Sequence, residues 1–242
     1  MKQTGMNEMG KLGAVIVAAG KGTRMGTKES KQYLPIGGKP ILVHTLEAFE
    51  RAAAVDEIVL VVGVGDLAIC EGYRLQYGLK KLKSIVAGGG ERQQSVYEGL
   101  LQLRTEWVLV HDGVRPFVSE ILIDRCYMAA MQHSGAVAAV PVKDTIKVAD
   151  GNGRVSATPD RTSLWAVQTP QVFRCSALVE AHQAAFADGF IGTDDASIAE
   201  RAGIPVQIVE GDYDNIKITT PDDLAWAEYK YRSTHNRMEE SR

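Results

Sequence analysis

The sequence predicts an α/β fold: a doubly wound, mostly parallel open sheet with a β-arm. Three patterns predict it. Short apolar runs recur along the 242-residue chain, most of them rich in Val and Ile and nearly continuous rather than alternating, as expected of strands covered on both faces. Helical patterns fill the intervals between them, which is the signature of a wound sheet. One segment, residues 143–173, breaks that alternation.

The elements follow in order. "LGAVIVAA", from residue 12, is the first strand, and a glycine-rich cationic loop follows it. "KPILVHTLEAFERAA" then reads as a helix with Pro40 near its first turn, where a missing N–H is harmless. "EIVLVVG" and "KSIVAG" are the next strands, and "ERQQSVYEGLLQL" the next helix. "EWVLVHD" is a strand, and "SEILIDRCYMAAMQH" a helix with Ser119 as its N-cap. "GAVAAVPV" precedes the anomalous segment. After it come the helix "CSALVEAHQAAFADG", stopped at Gly189, and the strand "IPVQIVEG". "TTPDDLAWAEYKYR" closes the fold as a helix with Thr220 as cap and Pro221 in first position. The expected organisation is a flexible N-terminal extension over 1–11, one domain over 12–232 and a polar C-terminal tail over 233–242.

Residues 143–173, "KDTIKVADGNGRVSATPDRTSLWAVQTPQVF", stand where another helix is due. They read instead as short strands, a turn at "DGNG" and Pro/Thr punctuation, an arm leaving the sheet. Exposed strand edges need a cover, and a second copy of the chain is the commonest one. A homodimer through this arm is therefore expected.

Composition narrows the function. With 27 Lys+Arg against 30 Asp+Glu the formal net charge is −3, so no global field draws the chain to nucleic acid or to a membrane surface. Any cationic site must be local. Cys70, Cys126 and Cys175 are odd in number and far apart, which argues against a disulfide framework or a zinc ribbon and fits a reducing, cytoplasmic setting. No apolar run approaches the ~20 residues of a membrane span.

The local cationic site is "AAGKGTRMGTKESKQYLP", residues 18–35, directly after the first strand. In open α/β sheets ligands bind beyond the carboxyl ends of the strands. Gly20, Gly22 and Gly26 let backbone N–H groups approach an anion. Arg24 and Lys31 add full charges there, with Lys21, Lys28 and Lys39 around them. A P-loop spacing fails from both Gly20 and Gly22. A dinucleotide fingerprint fails too, because its third glycine would be Met25 and the helix is delayed to about Pro40. The loop suits a polyphosphate; a solvated lysine-rich turn is the plain alternative.

Seven blocks in order, "AAGKGTRMG…KQYLPIGGKPIL", "GGGERQQSV", "HDGVRPF", "DTIK", "DRTSLWAVQTPQVF", "GTDDAS" and "NIKITTPDDL", carry a resemblance. The first looks like the signature loop of the nucleotidyltransferases related to sugar-nucleotide pyrophosphorylases. Together they are similar to the 2-C-methyl-D-erythritol 4-phosphate cytidylyltransferase family. A ribitol-5-phosphate cytidylyltransferase and a non-catalytic CTP-binding relative are the alternatives.

The resemblance implies attack by a polyol phosphate on the α-phosphorus of CTP, with Mg2+ or another divalent cation carried mainly on the triphosphate. No protein metal ligands are expected. It gives Arg24 and Lys31 to the triphosphate and the transition state, and Ala18, Ala19, Gly20, Gly22, Gly89 and the Ser95 hydroxyl to the nucleotide. Ser95 as a plain N-cap is the alternative. Asp112 is left between a ribose hydroxyl and the metal with the second substrate, and Arg115 is placed near the second substrate; an Asp–Arg pair serving only its loop stays open. Arg92 is read as structural and His111 as packed at a strand end. Thr145 and Arg161, on the arm, are implied to grip the polyol phosphate from the other subunit. Thr169 and Thr193 shape the pocket or cap helices. Lys217 is placed on a late strand pointing into the site, and a lysine between Ile216 and Ile218 is hard to bury without an anionic partner.

Overall fold

A computed structural model describes residues 10–20 and 30–240, the side chains of 235–240 excepted. Gly22, Gly26, Lys21, Arg24 and Lys28 of the cationic loop lie outside the described residues, as does most of the N-terminal extension.

In chain order the elements are β1 (Leu12–Ala18), β2 (Pro35–Ile36), β3 (Lys39–Pro40), α1 (Ile41–Arg51), β4 (Glu57–Val62), α2 (Leu67–Gln76), β5 (Leu82–Ala87), α3 (Arg92–Leu100) and β6 (Trp107–Asp112). They continue with α4 (Glu120–His133), β7 (Gly135–Pro141), β8 (Val148–Ala149), β9 (Val155–Ala157), β10 (Trp165–Arg174), α5 (Cys175–Ala187), α6 (Asp195–Arg201), β11 (Gln207–Glu210) and α7 (Pro221–Glu240). Seven strands form one open sheet in the order β11-β7-β10-β6-β1-β4-β5. All neighbouring pairs are parallel except those of β10, which runs antiparallel between β6 and β7.

The near-continuous apolar runs arise because both faces are covered. Leu12, Ala14 and Ile16 of β1 pack with side chains of α1, α2 and α4, while Val15 packs with α3, α5 and α6. α7 covers a smaller apolar cluster around Ile36, Ile41 and Ile218. The predicted caps form. Ser119 Oγ accepts from Leu122 N at 3.2 Å, and Thr220 Oγ1 accepts from Asp223 N at 3.2 Å. Gly189 ends α5 with φ of 64°, a conformation that costs glycine nothing. At Gly99 a Cβ would stand 2.5 Å from Val15 Cγ1. Its absence lets α3 sit close on β1 and β4, so that the first turn of α3 meets the carboxyl ends of both strands.

The structure differs from the sequence reading at several places. Residues 165–173, expected in the arm, form most of β10 and lie in the main sheet, with Val172 and Phe173 fully buried. The short-strand appearance has a cause: the ladder with β7 is interrupted between Val167 and Gln171, around Pro170, which has no N–H to give. What leaves the sheet is the exposed β8–β9 hairpin, whose turn is closed by Asp150 Oδ1 accepting from Asn152 N and Arg154 N, both at 2.9 Å. Lys217 is on no strand. It lies in an extended connection held by Ile218 N donating to Val114 O at 3.0 Å. Finally, α7 continues through Glu240, past residue 232. Helices α2 and α6 have no counterpart in the sequence reading.

Candidate active site

Two adjoining clefts open at the carboxyl end of the sheet and share Arg92, Asp112 and Lys217. The first lies between the end of β1, the turn after β5 and the 3-10 turn Lys31–Tyr33, and is lined by Ala18, Ala19, Gly20, Lys31, Gly89 and Ser95. The second lies between β10 and the start of α6, lined by Arg115, Gln168, Thr169, Gln171, Thr193 and Asp194.

Local geometry builds the first cleft from backbone. At Gly88 a Cβ would come within 2.6 Å of both Ala19 Cβ and Ser95 Oγ, so only glycine lets the two loops close on each other. Glu91 is the N-cap of α3; Gln94 Oε1 folds back to accept from Gly90 N at 2.9 Å and Glu91 N at 3.3 Å. Ser95 is therefore inside the helix, not its cap, and its Oγ donates to Glu91 O at 3.1 Å. Gln32 Nε2 donates to Ala18 O at 2.8 Å. That bond ties the turn bearing Lys31 to the end of β1.

The seam between the clefts is a charge cluster around Asp112, the last residue of β6. Its carboxylate meets Lys217 Nζ at 3.0 Å, Arg115 Nε at 3.3 Å and Arg92 Nε at 3.5 Å. Burial alone would raise its pKa, but Lys217, then Arg92 and Arg115, override that and hold the carboxyl well below the usual range. Asp112 N donates to Thr169 Oγ1 at 3.1 Å, and Arg115 Nη1 donates to Asn215 O at 2.8 Å. Asp112 is thus pinned through its own backbone to the Thr169 hydroxyl, and Arg115 through its side chain to the Asn215 carbonyl. For Lys217, between two isoleucines, the anionic partner on this chain is Asp112, and the side chain stays partly exposed rather than buried.

His111 is fully buried against Phe49, with Nε2 3.2 Å from Arg115 O. Burial pushes its pKa down to about 3, so it is neutral and packed, as read from its place at a strand end. Thr145 and Arg161 are exposed and line neither cleft; Arg161 Nη1 donates to Lys143 O at 2.7 Å. A single chain does not bring them to the seam. Arg24 and Gly22 are among the residues not described.

Arg92, structural on the sequence reading, touches both clefts and bridges Asp112 to the buried Asp195 of α6, with Nη2 donating to Asp195 Oδ2 at 2.8 Å. Burial would lower its pKa; Asp195 and Asp112 outweigh that and keep it charged. A sequence signal exists: an arginine two residues after a glycine turn, opening a helix at a strand's carboxyl end. Among the described residues no group of three or more His, Cys, Asp or Glu could hold a metal ion, and no helix is long and apolar enough to cross a membrane.

The sequence profile of the 2-C-methyl-D-erythritol 4-phosphate cytidylyltransferase family matches residues 12–233. Curated relatives of that name include one from Geobacter metallireducens, 49% identical over 221 residues, covering 89% of this chain and 95% of the relative. Another, from Geobacillus kaustophilus, is 50% identical over 216 residues, covering 89% and 94%. Among solved structures, 4-diphosphocytidyl-2C-methyl-D-erythritol synthase from Anaerococcus prevotii superposes with a TM-score of 0.81 at 34% identity, covering 92% of this chain and 96% of that one. The 2-C-methyl-D-erythritol 4-phosphate cytidylyltransferase of Thermus thermophilus gives 0.75 at 35% identity, covering 92% and 99%.

Proposed function

The chain belongs to the 2-C-methyl-D-erythritol 4-phosphate cytidylyltransferase family, and from that premise we propose how its residues transfer CMP from CTP to 2-C-methyl-D-erythritol 4-phosphate. The products are 4-diphosphocytidyl-2-C-methyl-D-erythritol, on the route to isoprenoid precursors, and pyrophosphate. The observation that carries this reading is the pair of clefts meeting at one cationic seam, the first walled by glycine turns and Lys31, the second by Arg115, Thr169 and Thr193.

The chemistry asks for neutralised charge rather than a base. A phosphate monoester has its second pKa near ~6 and is largely dianionic at neutral pH. Its oxygen forms the new bond to the α-phosphorus while the bond to the β-phosphate bridging oxygen breaks, and that electron pair leaves with pyrophosphate. Fixed cations lower the barrier by offsetting charge where two anions meet and a third departs. Lys31 and Arg24 hold the triphosphate. Arg115 and Lys217 receive the acceptor phosphate, with the hydroxyls of Thr169 and Thr193 orienting it. Gly89 and Gly90 offer backbone groups to the cytosine edge, and Ser95 its hydroxyl. Asp112, with three cations on its carboxylate, is a poor proton acceptor; it fixes the positions of those cations.

A divalent cation such as Mg2+ fits as a passenger on the phosphates, where it would neutralise charge. Among this chain's residues Asp112 is the candidate ligand at the seam. Thr145 and Arg161 lie off the site on the exposed hairpin and its flanks. A second copy, docking through that arm, would supply them to the acceptor cleft. Three buried free cysteines accord with a cytoplasmic enzyme.

The test is pyrophosphate release from CTP with methylerythritol phosphate beside ribitol 5-phosphate. Release with the first and little with the second is expected. Preference for ribitol 5-phosphate, or CTP binding without turnover on either, overturns the reading.

A further inference from the structure

Arg92 joins the clefts to the interior of the protein. Its guanidinium reaches two carboxylates at once, donating to Asp195 Oδ2 at 2.8 Å and lying 3.5 Å from Asp112 Oδ1. Asp112 is at the seam, but Asp195 lines neither cleft and is 0% exposed. Taking a carboxylate out of water costs several kcal/mol unless it is paired and hydrogen-bonded. Asp195 is thinly partnered for such a place: Oδ1 makes no hydrogen bond among the described residues and stands 3.4 Å from His182 Nε2. Its strong interaction is the one with Arg92. A buried ion pair is weak evidence for stability, because neutral groups in place of both partners would often fill such a site at no greater cost, so what the Asp195 carboxylate contributes is the placement of the arginine it holds.

The post that carries Asp195 is itself fixed. Gln171 of β10 accepts from Ala196 N through Oε1 at 2.9 Å and donates to Asp194 Oδ2 through Nε2 at 2.8 Å. Two side-chain bonds therefore stitch the start of α6 to the central sheet, on either side of Asp195.

We propose that Asp195 is a positioning residue for the transfer reaction: it clamps the Arg92 guanidinium against Asp112, and this clamp sets where the acceptor phosphate is received. The inference rests on the activity proposed above. It acts on the acceptor side because that cleft draws its positive charge from Arg92, Arg115 and Lys217, all three of which meet Asp112. The nucleotide cleft has Lys31 and the glycine turn besides. Without the clamp Arg92 swings away, and Asp112 is left to draw Arg115 and Lys217 inward from the phosphate.

The experiment compares wild type, Asp195→Asn, Arg92→Lys and the double variant in pyrophosphate release, with calorimetric titration of methylerythritol phosphate in parallel and thermal melts as a fold check. Hydrogen bonds to charged groups contribute about 1.5–3 kcal/mol. Each single variant is therefore expected to raise KM for the acceptor about tenfold or more, while KM for CTP stays within about threefold. The double variant should be no worse than the weaker single within about twofold, since Asp195 works through Arg92. Equal rises in both KM values, independent multiplying effects, or acceptor KM unchanged would overturn the clamp. Should Asp195→Asn melt below the assay temperature, Arg92→Lys carries the same split: lysine keeps the charge and loses the two-carboxylate fork. A wild type silent in turnover sinks the activity reading alone; the calorimetric arm then decides the clamp by whether the variants weaken binding of methylerythritol phosphate.

Discussion

Lys217 Nζ lies 3.0 Å from Asp112 Oδ2 although the two come from distant connections of the chain, one at the end of β6 and the other before α7. The pairing keeps the lysine facing the seam, where an acceptor phosphate could displace the carboxylate or share the lysine with it. Removing one partner of a close charge pair costs about 2–5 kcal/mol. Asp112→Asn is therefore expected to lower kcat/KM for the acceptor by about two orders of magnitude or more. CTP affinity should move much less. Steady-state kinetics with each substrate varied in turn checks this, and an unchanged acceptor kcat/KM would contradict it.

Lys31 opens the 3-10 turn and is tied to β1 through its neighbour Gln32. If its charge is used where the transition state gathers negative charge, Lys31→Ala should cost kcat about 10²–10³-fold. The Kd for CTP, measured by calorimetry, should weaken less than kcat falls. A kcat near that of wild type would remove Lys31 from the mechanism.

His111 predicts a pH dependence of stability. Its folded pKa is pushed down to about 3 by burial, whereas an unfolded histidine titrates near ~6.5. Between those values the unfolded chain binds the extra proton. The contribution of His111 is therefore complete above ~6.5 and is lost as pH falls toward about 3, at up to about 1.4 kcal/mol per pH unit. Asp112, also depressed, adds its own loss only below the ordinary carboxylate range, about 3.9. Urea unfolding at pH 7 and pH 5 should show the decline, and His111→Gln should flatten it. An identical slope in the variant would mean that His111 is not the group responsible.

Gly99 holds α3 on the sheet by having no side chain. A Cβ there would stand 2.5 Å from Val15 Cγ1 and 2.9 Å from Val61 Cγ2, both in the core. Overpacking of this kind costs about 1–3 kcal/mol. Gly99→Ala should lower Tm by about 2–4 °C per kcal/mol. It should also raise both KM values, because the first turn of α3 carries Arg92 and Ser95. A variant with wild-type Tm would show that α3 can shift without penalty.

Much of this was legible in the sequence, for identifiable reasons. Strands β1, β4, β6 and β7 are buried on both faces, so their composition shows what they are; the caps at Ser119 and Thr220 act within four residues and are readable locally. β10 is not legible as one strand because a proline and two glutamines interrupt it, and those glutamines serve partners distant in sequence: Gln171 for Asp194, Gln168 for Asp212. Asp112, Arg115 and Lys217 could be singled out from short motifs. That the three form one cluster with Arg92 could not, since it depends on β6, α3 and the 215–219 connection converging. Asp195 gave no signal at all, because a buried carboxylate and an exposed helix cap look alike in "GTDDAS".

The arm carries the last prediction. Arg161 and Thr145 are implied in gripping the acceptor phosphate, yet in one chain Arg161 donates to Lys143 O on the exposed side of the molecule and both residues line neither cleft. Exposed Ile146, Val148 and Val155 lie on the same excursion, an apolar edge of the kind that proteins cover. If a second copy covers it, each site takes Lys31 from one subunit and Arg161 from its partner. Arg161→Ala and Lys31→Ala chains are then each nearly inactive alone. Mixed under exchange, a heterodimer holds one site with both lesions and one with neither. Random pairing makes about half of the dimers heterodimers, so activity near a quarter of wild type should return. Pyrophosphate release after mixing reads this out, with subunit exchange followed by native mass spectrometry. Heterodimers without recovered activity would place each site within a single chain.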